Sequence, residues 1–294
     1  MLGNLAREAP AIVAAPVRAK EPPILQAVGI EKRFLVQGQT NVVFDAFDFA
    51  VEAGSFVSIV GPSGCGKSTL LKLMAGLDNA SGGEVIFKQE RVREPPKGVI
   101  YVFQQYTKSI FPWRTVAENV AFGLEHQRGL DAAARRQRCE EYIRLVGLHG
   151  YERYYPSQLS GGMQQRVAIA RALVCKPDVL MMDEPFSAVD ALTRTTLQQL
   201  MLDIWQSLPL TVVFVTHDVD EAVYLSGRVV SLSRAPARIA DDVRVALPYP
   251  RDPVKTRSDA RYVAARERLL SRILAAEAGG ANASGTGSDC AEAR

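Results

Sequence analysis

Short apolar runs separated by glycine-rich or polar breaks dominate the middle of the chain. Residues 55–60, 179–182 and 211–215 are continuous and rich in β-branched side chains, the pattern of parallel strands covered on both faces. Residues 99–103 form a further short strand and 229–232 a later one. Ahead of them, 24–34 and 42–51 are β-rich, with Gly38-Gln39-Thr40-Asn41 as the turn between. Gly82-Gly83 breaks the chain before a strand at 84–87. From about Tyr106 to Ser160 the pattern turns helical: 115–123 and 131–146 carry the helix period and no strand intervenes. Residues 70–75 and 161–173 are further helices, the second capped by Ser160, and 262–275 is amphipathic. The order of elements predicts an α/β fold with an antiparallel β-rich N-terminal portion and a helical insertion.

Composition narrows the class without choosing it. With 47% hydrophobic and 23% charged composition, 294 residues hold enough apolar surface for a sizeable core. A net charge of +3 is too small to argue for nucleic acid, and Arg135-Arg136-Gln137-Arg138 reads as a solvated helix face. Cys65, Cys139, Cys175 and Cys290 form no C-x-x-C pair and no metal spacing, which favours reduced thiols. No apolar run approaches the roughly 18–20 residues that span a bilayer, so a role at a membrane requires a partner. Residues 1–23, rich in Ala and Pro, and 279–294, small and polar, are expected to be disordered.

The chemistry starts at Gly61-Pro62-Ser63-Gly64-Cys65-Gly66-Lys67-Ser68-Thr69, which fits the phosphate-binding pattern G-x-x-x-x-G-K-[ST] between a strand and a helix. Glycines there let backbone N–H groups turn inward as an anion nest. Lys67 adds a charge for the β- and γ-phosphates, and the Ser68 hydroxyl suits Mg²⁺. The motif predicts a bound nucleoside triphosphate. Asp183 and Glu184 end the strand at 179–182, at the edge where such sheets bind ligands. Asp183 suits Mg²⁺ and Glu184 an attacking water. Gln104 ends another strand, placed to touch Mg²⁺ or the water, and His217 ends a third, within reach of a γ-phosphate. Taken singly, each has an ordinary structural explanation. Ser160, Gly161 and Gly162 open a helix, a second surface suited to phosphate.

Taken in order, these elements resemble a known family. The phosphate loop, Gln104, Leu159-Ser160-Gly161-Gly162-Met163-Gln164-Gln165-Arg166, Met182-Asp183-Glu184-Pro185, Ser187-Ala188-Val189-Asp190 and His217 are similar to those of the ATP-binding-cassette (ABC) ATPases over roughly residues 24–235. The resemblance implies a phosphate-loop NTPase core of ABC type and residues 24–250 as the ATPase domain, with its helical subdomain at about 106–164. Residues 251–278 would be a C-terminal helical segment. It further implies ATP and Mg²⁺ as cofactors and a head-to-tail dimer. In that dimer Lys67, Asp183, Glu184, Gln104 and His217 of one subunit face Ser160 and Gly162 of the other. Asp190 belongs to the loop that carries signals between the two sites. Phe34 takes the place of the aromatic that stacks on adenine, with Phe44 as an alternative.

A finer likeness lies in Phe111-Pro112-Trp113-Arg114-Thr115-Val116-Ala117-Glu118-Asn119-Val120 and in residues 215–223, which resemble the nitrate, sulfonate and taurine importers. Ile110-Phe111, Gly227 and Val189 depart from the usual residues of that pattern without removing a catalytic group. The likeness implies an integral membrane permease as partner and, indirectly, a solute-binding protein, at the cytoplasmic face of the inner membrane. Phe111, Pro112 and Trp113 serve either as part of the permease groove or as packing of the insertion. No nucleic acid is expected. The alternative is a soluble ABC ATPase acting on ribosomes or DNA.

Overall fold

The continuous apolar runs form the centre of a six-stranded sheet. The computed structural model describes residues 22–105, 109–125, 127 and 129–281. Tyr106, Cys290 and most of both expected disordered ends lie outside the described residues. In chain order the strands are β1 (Leu25–Val36), β2 (Gln39–Val51), β3 (Phe56–Val60), β4 (Gly82–Phe87), β5 (Glu90–Arg91), β6 (Val99–Val102), β7 (Val179–Asp183), β8 (Thr211–Val215), β9 (Arg228–Leu232) and β10 (Ile239–Arg244). The helices are α1 (Lys67–Met74), α2 (Val116–Phe122), α3 (Ala132–Leu145), α4 (Gly161–Leu173), α5 (Ala191–Ser207), α6 (Val219–Leu225) and α7 (Ala260–Ala281).

The large sheet runs β10-β9-β3-β8-β7-β6, parallel except for the antiparallel edge strand β10. Every residue of β3, β7 and β8 is buried, which is why these strands read as unbroken apolar runs. Alternate side chains serve two cores. Phe56, Leu180, Met182, Val212 and Phe214 face the core shared with the helices. Val57, Ile59, Met181, Val213 and Val215 face the core shared with α1 and with Phe44, Phe47 and Phe49 of β2. The second sheet is antiparallel, in the order β2-β1-β4-β5.

Several local expectations change. Thr40 and Asn41 belong to β2, and the turn shrinks to Gln37-Gly38, both with positive φ. Gly82 and Gly83 lie inside β4 instead of breaking the chain before it. Backbone crowding explains Gly83: it has φ +75°, and a Cβ there would lie 2.2 Å from the Gly29 carbonyl oxygen. β10 is too acidic to read as a strand, but Asp242 accepts a two-pronged contact from Arg228, and Asp241 accepts one from Arg268. Charge pairs of this kind suit an exposed sheet edge.

Gly83→Ala is expected to lower unfolding free energy by about 2–4 kcal/mol through strain and the forced separation of β1 from β4. A urea titration with an unchanged m-value would read this as a lowered midpoint.

Candidate functional site

β3 runs straight into Gly61, and the glycine-rich loop turns back to start α1 at Lys67. The N–H groups of Lys67, Ser68 and Thr69 occupy the first turn, where a helix offers no internal acceptor. Gly66 immediately precedes them with φ +104°, and a Cβ there would meet Val43 Cγ1 at 2.5 Å and Phe44 Cζ at 3.0 Å. The loop is therefore roofed by β2. Lys67 is almost buried, and its ammonium donates to the carbonyls of Gly61 (2.8 Å) and Pro62 (2.9 Å). Its charge is thus held over the loop by main-chain oxygens. Cys65 is buried in the same loop, and burial pushes its thiol up, so it remains a neutral thiol.

Asp183, the last residue of β7, is buried and accepts from the Ser68 hydroxyl at 2.8 Å and from the Tyr101 hydroxyl at 2.8 Å. Burial, and then the Asp183 charge, push the Tyr101 hydroxyl well up, so it stays a donor. Ser68 and Asp183 present hard oxygens together, a donor set that fits Mg²⁺. Among the described residues, no group of three His, Cys, Asp or Glu side chains could hold a metal unaided. A Mg²⁺ at Ser68 and Asp183 would accordingly depend on phosphate oxygens and water for its other ligands.

Glu184 follows with φ +43°, a left-handed conformation that costs a non-glycine residue energy. Its N–H donates to Val215 of β8 at 2.9 Å, and its carbonyl accepts from the Ser187 hydroxyl at 3.0 Å. Gln104 donates to Glu184 Oε2 at 3.0 Å, and His217 Nδ1 lies 3.2 Å from the same oxygen. Three side chains from the ends of three neighbouring strands thus meet at one carboxylate oxygen. The His217 side chain is 60% exposed and Glu184 20%, so the group opens to solvent on the imidazole side.

Ser160 caps α4 by accepting from the Met163 N–H at 3.3 Å and is exposed together with Gly161. Gly162 faces α5, where a Cβ would come 2.4 Å from Thr193 Cγ2. Asp190 caps α5 through the N–H groups of Leu192 and Thr193, and bonding to Thr193 holds its carboxyl below the usual range. Ser160, Gly161, Gly162 and Asp190 therefore gather around the start of α5. Pro62 is buried, whereas Ser63 and Gly64 are exposed at the tip of the phosphate loop. Phe34 is 38% exposed with the Lys32 ammonium 4.8 Å from its ring centroid. Phe44 is fully buried against Phe47, which removes it as the alternative stacking ring.

Beside this group a groove of about 680 Å³ runs from Asp183 and Gln104 along β6 to Phe111, Arg171 and Cys175. The Phe111 ring packs against Phe122 and lies under Arg114 and Arg171, while Trp113 is 70% exposed. The aromatic cluster thus divides between packing and display. Tyr101 and Thr193 are the functional neighbours that the sequence reading missed. Tyr101 reaches Asp183 only because β6 pairs with β7, and Thr193 reaches Gly162 only because α4 and α5 pack together. No motif marks either.

A family model described as ABC transporter matches residues 44–187. The aliphatic sulfonates import ATP-binding protein SsuB of Bacillus cereus is 47% identical over 223 residues, covering 76% of this chain and 86% of that protein. The protein of the same name in Bacillus subtilis is 42% identical over 243 residues, covering 83% and 91%. A solved dimeric structure of the ATP-binding cassette MJ0796, in a post-hydrolysis state bound to ADP and Pi, superposes with a TM-score of 0.67. It is 30% identical and spans 76% of this chain and 100% of that one.

Tyr101→Phe removes one donor from the buried Asp183 carboxylate and is expected to lower stability by about 1–2 kcal/mol while the fold is kept. A urea titration compared with the parent chain checks this.

Proposed function

The chain belongs to the ABC transporter family, and on that premise we propose that it energises uptake of a small sulfonate-type anion through a separate membrane permease. It is an ATP-binding, ATP-hydrolysing subunit of importer type. The observation that carries the chemical reading is the convergence of Gln104 and His217 on the Glu184 carboxylate. The substrate class rests on the two SsuB relatives, with nitrate and taurine as neighbouring chemistries.

Phosphoryl transfer to water asks the protein for position and charge more than for covalent work. In this reading the loop from Gly61 to Thr69 cradles the phosphates with its N–H groups. Lys67 leaves its carbonyl partners to meet the β- and γ-phosphates. Glu184 orients the attacking water, with Gln104 beside it, and His217 donates toward the γ-phosphate. Ser68 and Asp183, with Gln104, would hold Mg²⁺, which supplies charge neutralisation when bound. Phe34 offers its exposed ring to the adenine.

The second half of the site would come from another ATPase subunit. Ser160 and Gly161 form an exposed helix start, with Gly162 half-buried behind them and Asp190 alongside, suited to the phosphates bound by a partner. A head-to-tail dimer of this kind parallels the dimeric cassette MJ0796. The groove beside Gln104, with Trp113 displayed at its margin, is the surface we assign to the permease. No described helix is long and apolar enough to cross a membrane. Attachment to the cytoplasmic face of the inner membrane would therefore run through the permease, with a solute-binding protein acting only indirectly.

Glu184→Gln is expected to bind ATP normally while turnover falls about 10²–10⁴-fold, the range for loss of a base-like group. Nucleotide binding and steady-state phosphate release measured on one preparation check this. Isolation of the tagged chain from gently solubilised membranes tests the transport reading. A stoichiometric polytopic partner is expected, whereas travel with ribosomes or nucleic acid would overturn the importer assignment.

A further inference from the structure

The segment after β10 returns to the helix that follows His217 and grips it along its length. α6 starts two residues beyond His217, and its cap Asp218 accepts from the Glu221 N–H at 3.2 Å. At the far end of α6 sits Arg251, 2% exposed. Its Nη1 donates to the carbonyls of Val223 (2.9 Å) and Tyr224 (2.6 Å), and its Nη2 to that of Ser226 (3.0 Å). These oxygens belong to the last turn, where a helix lacks internal donors and carries its negative pole. The guanidinium is 4.1 Å from the Tyr249 ring centroid, and the Tyr249 hydroxyl donates to the Leu225 carbonyl at 3.1 Å.

The first turn of α6 is held just as firmly. The Tyr262 hydroxyl lies 2.9 Å from the Asp220 carbonyl, and Arg266 Nε donates to the Asp220 carboxylate at 2.9 Å. Between the two ends, Arg257 donates to Gln198 at 3.1 Å, and Gln198 donates to the buried Glu221 at 3.0 Å. A short helix of seven residues cannot hold its own geometry in water. Its placement comes from its buried apolar side chains together with these contacts at its two ends, and His217 is attached to its leading end.

We propose that residues 249–266 are a positioning device for His217, with Arg251 as its principal positioning residue. By fixing α6 at both ends they set where the His217 imidazole stands relative to Glu184. Arg251 touches neither nucleotide nor the reacting atoms and acts through α6. The proposal rests on the role given to His217 above.

His217 is one of three histidines in the chain, so its imidazole proton resonance can be assigned with His217→Ala as the reference. In folded Arg251→Gln the His217 signal is expected to move. The kcat for ATP should fall about tenfold with KM changed less than twofold, the pattern of a displaced group rather than lost binding. Arg251→Lys should recover only part of this, since an ammonium gathers its donors on one nitrogen whereas the guanidinium reaches the three carbonyls from two nitrogens. If Arg251→Gln fails to fold, Arg266→Ala decides, because that side chain is 41% exposed and its loss leaves the core intact. It should move the same resonance by a smaller amount. An unmoved His217 signal in a folded variant overturns the proposal, as does a kcat loss that only follows the unfolded fraction. Full turnover by His217→Ala would instead sink the role assigned to His217, separately from what the resonance reports about α6.

Discussion

A carboxylate that is almost fully buried must find donors, and Asp183 finds two, Ser68 at the start of α1 and Tyr101 on β6. Those two bonds join the start of α1 at the phosphate loop, the buried strand β7 and the strand that leads into the helical insertion. If any of the three pieces shifted, a buried charge would lose a partner, which costs more than an ordinary hydrogen bond contributes. The neighbouring Glu184 depends on this junction. Its left-handed backbone is sustained by bonds to Val215 and Ser187, and its side chain is met by Gln104 and His217. The geometry of the candidate site is thus a property of adjoining strand ends in one sheet.

Much of this was legible in the sequence, for a physical reason. Strands buried on both faces must be apolar throughout, so β3, β7 and β8 declare themselves without any partner being known. The groups that end them, Gly61, Asp183 with Glu184, and His217, then stand where a parallel sheet opens to ligands. The phosphate loop is similarly local, since its glycines answer to backbone conformation at successive positions.

What stayed hidden depends on pairing between distant segments. Tyr101 is one aromatic among several until β6 is laid against β7. Phe44 and Phe34 look alike in sequence, and only the packing of β2 over the phosphate loop separates a roof from an exposed ring. Gly82-Gly83 reads as a chain break because the backbone that crowds Gly83 is that of Gly29, on a distant segment that no local pattern reports. β10 conceals itself in the same way, its acidic residues matched to arginines on β9 and α7.

The roof over Gly66 has a dynamic meaning. Val43 and Phe44 belong to the antiparallel sheet, and the Ala237 N–H ties that strand to the β9–β10 connection by donating to Val43 at 2.8 Å. The phosphate loop can loosen only as far as this lid of side chains allows. At Gly66 its opening is therefore coupled to the local unfolding of β2. The roofed base of the loop thus answers to the antiparallel sheet, while its tip at Ser63 and Gly64 stays open to solvent.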